Sequence, residues 1–235
     1  MTVEDSELAA IEGEALVRAL RRRYDAVEVA VTCGGREWRL LRPGAPEALI
    51  DEVAFDRDGR IPYWAEIWPS SQVLAGRIMA EPAAQGGLLE LGSGVGLLSL
   101  AALAAGYPRE EVVASDYHPE ALDFVRGNAW LNDLPLPRTA VVDWRALPPE
   151  LPRFARVVAA DVLYEPAHAD LVAAAVRRAL APGGVGVVAD PGRRTAAGFA
   201  ARCVAASLAV ERERVPLAHE GDTLTIELFS LRRRD

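Results

Sequence analysis

Leu88-Leu89-Glu90-Leu91-Gly92-Ser93-Gly94-Val95-Gly96-Leu97-Leu98-Ser99-Leu100 decides the fold of this 235-residue chain. Apolar residues around one acid read as the end of a short buried strand. The alternate glycines read as a turn, and the apolar run from Leu97 opens a helix. Gly92, Gly94 and Gly96 let the backbone reverse sharply and let a ligand approach it closely. The helix start beyond them offers free N–H groups and the positive end of its dipole. This order predicts a nucleotide-like cofactor at the carboxyl end of the strand.

The spacing narrows the cofactor. A dinucleotide fingerprint reads G-x-G-x-x-G, with its third glycine packing helix on strand. Here the spacing is G-x-G-x-G, and Leu97 stands where that glycine would be. Glu90, two residues before Gly92, would repel a pyrophosphate but can pair with a cationic ligand. S-adenosylmethionine has no phosphate and carries a sulfonium and an ammonium. E-x-G-x-G-x-G resembles motif I of the class I, seven-β-strand methyltransferases. A purely structural glycine turn is the competing reading.

Composition removes several classes. With a net charge of −8 and a pI near 5.1, the chain lacks the basic excess of a nucleic-acid binder. All 26 basic residues are Arg, so the chain has no lysine of its own to methylate. Cys33 and Cys203 are far apart and form no C-x-x-C pair, so neither a disulfide nor a metal site is expected. No run reaches the ~18 apolar residues of a membrane span, and the acidic N-terminus has no signal core. These features predict a soluble, cytoplasmic protein with no membrane partner. Its 51% hydrophobic content suits one sizeable domain.

Outward from the glycine turn, strands and helices alternate. The strands are expected at 87–91, 112–116, 139–143, 155–161 and 185–190, with helices at 95–105, 119–132, 166–180 and 195–208. A final pair near 209–215 and 223–231 is joined by a polar segment, 218–222. Apolar strands without clean alternation imply a sheet buried on both faces. The expected fold is therefore α/β, a doubly wound, mostly parallel seven-stranded sheet of Rossmann-like type. Ahead of it lies a helix at 5–23, with Leu8, Ile11, Ala15, Leu16, Ala19 and Leu20 on one face. A β-hairpin, Ala26–Thr32 with Arg36–Leu41, and a short helix at 46–57 follow. Residues 1–60 read as an N-terminal cover over one edge of the domain, and 61–235 as the cofactor-binding domain. Proline at its first position opens a further helix at 69–80.

In such a sheet ligands bind outside the carboxyl ends of the strands. The first strand ends in Glu90, Gly92 and Ser93. The second ends in Asp116 and Tyr117; Asp116 can accept two ribose hydroxyls, or can cap the following helix together with His118. The third ends in Asp143-Trp144, where an acid can take an adenine amine and an indole can stack on the ring, or the pair can be a turn with a core aromatic. The fourth ends in Ala160-Asp161-Val162-Leu163-Tyr164. Asp161 and Tyr164 point to the same mouth: one to align a methyl-accepting amine, the other to narrow the way in. A capping acid and a packed tyrosine are the bland alternative. The aromatic stretch Tyr63-Trp64 to Trp68 is either a plug on the core or a wall over the cofactor.

Together these pieces resemble one branch of the class I methyltransferases. They are the protein lysine methyltransferases marked by D-x-x-Y after the fourth strand, among them the lysine methyltransferase of the electron-transfer flavoprotein β-subunit. The resemblance runs from about 61 to 205. It rests on Pro62-Tyr63-Trp64-Ala65 with Trp68-Pro69, Glu90 to Gly96, Asp116, Asp143-Trp144, Asp161-Val162-Leu163-Tyr164 and Asp190-Pro191-Gly192-Arg193. It implies that Trp68, Glu90, Gly92, Ser93, Gly94, Gly96, Asp116, Tyr117, Asp143, Trp144 and Ala160 form the S-adenosylmethionine site. It implies that Asp161 and Tyr164 border an acceptor lysine of a protein substrate, with Asp190 and Arg193 near that channel. Bacterial relatives of this pattern are also similar to nicotinamide N-methyltransferases, so a small-molecule amine remains an acceptor. A cofactor-binding module without turnover is the reading from another class.

Overall fold

The computed structural model describes residues 6–49, 62–219 and 221–234. Strands β3 (Leu88–Leu91), β4 (Val112–Asp116), β5 (Arg138–Val141), β6 (Phe154–Ala160) and β7 (Leu180–Asp190) are parallel. β1 (Val27–Cys33) and β2 (Arg36–Arg42) form the separate N-terminal hairpin. Every residue of β3 and β4 is buried, which is why neither strand shows a polar face in the sequence. The terminal hairpin is β8 (Leu208–His219) with β9 (Asp222–Arg233), and β9 lies antiparallel between β7 and β8. The sheet order is β5-β4-β3-β6-β7-β9-β8. The chain builds outward from β3 to β5, then returns past β3 to β6. The crevice at the carboxyl ends of the strands opens where that order reverses, and the glycine turn lies there.

Alternate residues of the central strands feed two cores. Leu88 packs with α2 (Pro69–Ala80), α3 (Leu97–Ala104) and part of α4 (Pro119–Leu131). Leu89 and Leu91 pack with α5 (His168–Ala179) and α6 (Phe199–Ala205). Helices thus cover both faces, as the apolar strands require. Among the described residues, no helix is long and apolar enough to cross a membrane.

The N-terminal elements pack on the helical layer. α1 (Gly13–Tyr24) presses Leu16, Val17 and Leu20 into a third core with Phe124 and Leu131. Gly127 allows this approach, since a Cβ there would lie 2.8 Å from Leu20 Cδ1. Two asparagines, Asn128 in the last turn of α4 and Asn132 at its C-cap, then complete the edge of β2. Asn128 accepts from Leu41 N–H at 2.6 Å and donates to the Leu41 carbonyl at 3.0 Å. Asn132 does the same for Arg39, at 3.1 and 2.8 Å. The two side-chain amides stand in for a neighbouring strand, which satisfies the buried edge without a ladder.

Several expected boundaries move. The first helix begins at Gly13, where φ is +60°, and residues 7–10 form a turn. Arg126 holds that turn by donating to the carbonyls of Leu8, Ala9 and Ile11. The helix expected over 195–208 is broken at Gly198, φ +86°, into a short 3₁₀ turn and α6. β7 begins at Leu180, ahead of the expected 185. β8 and β9 extend into the polar segment 218–222, where His219 pairs with Asp222. Of the helix expected at 46–57, Pro46–Leu49 is a 3₁₀ turn, and the remainder lies outside the described residues, as does the 60/61 border.

Candidate active site

A cavity of about 250 Å³ opens at the carboxyl ends of β3, β4, β5 and β6. Its floor is the glycine turn. Gly92, Gly94 and Gly96 all have positive φ, at +69°, +50° and +96°. A Cβ on Gly92 would lie 2.9 Å from Val162 and 3.1 Å from Trp144; on Gly94, 3.0 Å from the Trp64 carbonyl; on Gly96, 2.9 Å from Val125. The glycines are thus required by protein packing as well as by the turn. Asp116 fastens the turn from the next strand: its carboxylate accepts from Gly94 N–H at 2.9 Å and from His118 N–H at 3.0 Å. Burial pushes the Asp116 carboxyl up, and the nearby His118 and backbone N–H groups oppose that rise.

Glu90 lies under the turn. Its carboxyl accepts from Ser99 N–H at 2.9 Å and from the Ser99 hydroxyl, in the first turn of α3. Burial pushes its pKa up to about 8, against the pull of those hydrogen bonds. Ser93 borders the cavity, and its hydroxyl is buried with no hydrogen-bond partner among the described residues. A buried unsatisfied hydroxyl is costly unless a ligand completes it. The floor therefore holds an acid that a cationic ligand can ionise, a carboxylate at a strand end and an unsatisfied hydroxyl. That donor set fits a cationic, hydroxyl-bearing cofactor without phosphate.

The wall beyond β4 and β5 is polar and aromatic. Tyr117 lies under the Arg145 guanidinium at 5.5 Å, and Arg145 is paired with Asp143 at 2.7 Å. Asp143 also accepts from Arg145 N–H, which closes the 3₁₀ turn that carries Trp144. Trp144 stands edge-on to His168, with ring centres 5.3 Å apart.

The opposite wall is built where α2 begins. Asp161 follows Ala160, the last residue of β6, and has φ +60°, a left-handed conformation that only a few side chains tolerate. Its carboxylate accepts from Ser70 N–H at 3.0 Å, at the start of α2, and from Arg193 Nη1 at 2.6 Å. Its side chain is only 1% exposed. Burial pushes this carboxyl up, and Arg193 opposes the rise. Arg193 also reaches Asp190 at 3.2 Å and lies over the Trp68 ring at 5.3 Å. Trp68 donates its indole N–H to the Tyr63 carbonyl at 2.8 Å. Tyr63 and Tyr164 face each other with ring centres 4.5 Å apart, and Tyr164 meets His168 at 4.6 Å.

Of the residues read from the sequence, Gly96, which packs α3 against α4, and Asp190 and Arg193, which reach the site through Asp161, do not line this cavity; the others do. Asp161 borders it but has its two oxygens held by Ser70 and Arg193, where the sequence reading had it align an amine. Glu165 and His168 are among the lining residues that the sequence reading did not assign to the site. His168 is the first residue of α5, and Tyr164 lies in the loop before it, so no helical spacing in the sequence links the two. Among the described residues, no group of three His, Cys, Asp or Glu is placed to hold a metal ion.

Comparison with known proteins agrees with this geometry. Residues 88–184 match the family model described as a methyltransferase domain. The chain is 34% identical over 138 residues to the electron transfer flavoprotein beta subunit lysine methyltransferase of Xenopus laevis, covering 56% of this chain and 53% of that protein. It is 36% identical over 127 residues to the ribosomal protein L11 methyltransferase of Azotobacter vinelandii, covering 53% of this chain and 38% of that one. The chain thus spans about half the length of the first relative and less of the second. Among solved structures it resembles a glycopeptide N-methyltransferase complexed with S-adenosyl-L-methionine, with a TM-score of 0.55 at 16% identity over 70% of this chain and 94% of that one. The matched domain begins at the strand that carries the glycine turn, and over residues 88–184 the chain is similar to a methyltransferase domain.

Proposed function

We propose that this chain transfers a methyl group from S-adenosylmethionine to the ε-amine of a lysine in another protein. The observation that carries the acceptor half is the aromatic mouth. The bend at Asp161 sets Tyr164 against Tyr63, beside Trp68 and next to the glycine turn. Such a mouth suits a long aliphatic chain ending in a cation, which packs along rings and is drawn to their faces. The similarity to a lysine methyltransferase and to a ribosomal protein methyltransferase supports a protein acceptor.

When bound, the cofactor supplies an electrophilic methyl on a positive sulfur. Glu90, Ser93, Gly94, Asp116, Tyr117, Asp143 and Trp144 would hold it against the turn. The acceptor begins as an ammonium with a pKa of ~10.4 and attacks only after losing a proton. Tyr63, Trp68 and Tyr164 exclude water from it, which disfavours the charged form. Asp161 acts as a positioning residue: by joining the start of α2 to Arg193 it fixes Trp68 over the mouth. Orientation of two bound groups is the main source of rate in such a transfer.

The test is radiolabelled S-adenosylmethionine with the purified protein and an extract of its own host, resolved on a gel, with the small-molecule fraction counted separately. A labelled band that maps to lysine is the expected result. A band at the size of this chain is not lysine automethylation, because the chain has no lysine. Label confined to small molecules refutes the protein acceptor. S-adenosylhomocysteine should raise the melting midpoint whichever acceptor is used, because it binds only the folded chain.

A further inference from the structure

The geometry points to Glu165 and His168 as the pair that takes the proton from the acceptor ammonium. This rests on the amine-acceptor reading above and names the residues that carry out one step of it.

The acids around the cavity are not equivalent. Glu90 is turned onto Ser99, Asp116 onto the backbone of the glycine turn, and Asp161 onto Ser70 and Arg193. Asp143 is paired with Arg145, and Glu66 with Arg42 at 3.2 Å. Glu165 differs: its side chain is 38% exposed, and it faces an imidazole, with Oε2 3.3 Å from His168 Nε2. Both residues line the cavity.

The imidazole is oriented for this. His168 Nδ1 lies 2.8 Å from the Val162 carbonyl oxygen. A carbonyl has no proton to give, so Nδ1 carries the hydrogen, and Nε2 is the nitrogen that takes up and returns a proton. His168 is 9% exposed, and its ring stands edge-on to both Tyr164 and Trp144, each at 80°. It therefore joins the wall assigned to the acceptor with the wall assigned to the cofactor.

The step balances within the pair. An N–H bond of the acceptor ammonium breaks, and its proton forms an O–H bond on Glu165, leaving the lone pair on the amine nitrogen. The proton passes to His168 Nε2, giving an imidazolium beside a carboxylate. It leaves to solvent through the exposed side of Glu165. The other ionisable groups about the pair are Tyr164 and Asp161 on the same loop, Asp143 and Arg145 on the 3₁₀ turn after β5, and Tyr63 across the mouth. Asp170 and Arg202 pair with each other at 3.3 Å between α5 and α6, both largely exposed. Asp161 and Asp143 are held by arginines, so neither competes as the acceptor of the proton.

The test uses the full chain with S-adenosylhomocysteine and n-butylamine, which has the amine of a lysine side chain and nothing else of a protein. NMR of the His168 ring, assigned against His168→Gln, is followed across the imidazole titration with and without the amine. A bound ammonium beside an imidazole disfavours its charged form, so the midpoint is expected to fall when the amine is added. Glu165→Gln should remove that response while S-adenosylhomocysteine affinity stays within about twofold. A wild-type midpoint that ignores the amine overturns the assignment, as does an unchanged response in Glu165→Gln. Methyl transfer to the mapped acceptor provides the second readout. Glu165→Gln and His168→Gln should each lower kcat about 10²-fold, as for loss of a positioned base, and move the acid limb of the pH profile. A wild-type protein that responds to butylamine but labels no lysine overturns the lysine reading and leaves the pair standing. One that labels lysine while Glu165→Gln keeps full rate overturns the pair alone.

Discussion

Replacing Glu90 by Gln should change how stability depends on pH. Glu90 is 2% exposed, and its pKa rises from 4.5 to about 8 in the folded chain. The folded state therefore binds the Glu90 proton more tightly than the unfolded state does. Its favourable contribution is complete below pH 4.5 and is lost as pH rises toward about 8. At about 1.4 kcal/mol per pH unit the full loss is about 5 kcal/mol, of which about 3 has gone by about pH 7. That is a large share of the ~5–15 kcal/mol that holds a domain folded. Gln keeps the shape and still accepts from Ser99 N–H, but it cannot ionise. The variant should match the wild type or fall slightly below it in acid, and exceed it near pH 7 by about 3 kcal/mol, or roughly 6–12 °C in Tm for a chain of this size. Asp116 and Asp161 are also pushed up by burial, so both proteins retain part of the slope and only the difference between them belongs to Glu90. Urea denaturation of the two proteins across this range is the assay. Parallel curves would refute the reasoning, because they would mean that Glu90 ionises at its ordinary value. The same argument sets a sign for ligands: a cation beside Glu90 favours the charged carboxylate, so S-adenosylhomocysteine should bind more tightly as pH rises toward 8, and Glu90→Gln should flatten that rise.

Asn128→Ala removes the side chain that completes Leu41 and also donates to the Val95 carbonyl at 2.9 Å. Three buried backbone groups lose their partner, so denaturation should show a loss of about 3 kcal/mol or more, with faster amide exchange at Leu41. Arg193→Met leaves the Asp161 carboxylate buried with only Ser70 N–H beside it. Breaking a buried pair costs ~3–5 kcal/mol, and the 22% exposure of Arg193 brings the expected loss to about 2–3. Adding Asp161→Asn should recover part of that loss, and a double variant as unstable as the sum of the singles would count against the pairing.

The legible parts of this fold are those where local chemistry and burial agree. β3 and β4 are buried on both faces, and their mostly apolar runs without polar–apolar alternation say so. Pro69 and Pro119 open α2 and α4 where a proline costs no hydrogen bond, and both starts were placed correctly. The breaks were harder to see. Gly13 and Gly198 sit inside otherwise helical patterns, and nothing in their neighbours shows that the chain adopts a positive φ there. The amides of Asn128 and Asn132 are the clearest case of what a pattern cannot show. On a helix they read as ordinary polar residues, and their partners are backbone atoms of a strand about ninety positions away. The site was legible as far as the strand ends, because an α/β sheet fixes where its ligands lie. Which way each acid turns from that position was not legible.

Asp161 shows why that second question matters. Its place at the end of β6 is what the strand-end rule predicts, and an acid there invites a role in contact with substrate. The left-handed turn at Asp161 instead comes with a carboxylate bound to Ser70 and Arg193. A residue held in that conformation is costly and persists only where its surroundings over-determine it. Here they do so through the Ala189 carbonyl, which accepts from Asp161 N–H at 2.9 Å, as well as through Ser70 and Arg193. The cost is borne where it sets the course of the next residues, bringing Tyr164 to Tyr63 and His168 to Glu165. The D-x-x-Y spacing is then a statement about backbone direction. The acid anchors the bend, and on the proposed assignment the proton transfer falls to Glu165 and His168 beyond it. An Asp161→Asn variant can keep the αL backbone and accept from Ser70 N–H, so it should slow transfer less than Glu165→Gln does. The opposite ranking would return the acceptor amine to Asp161.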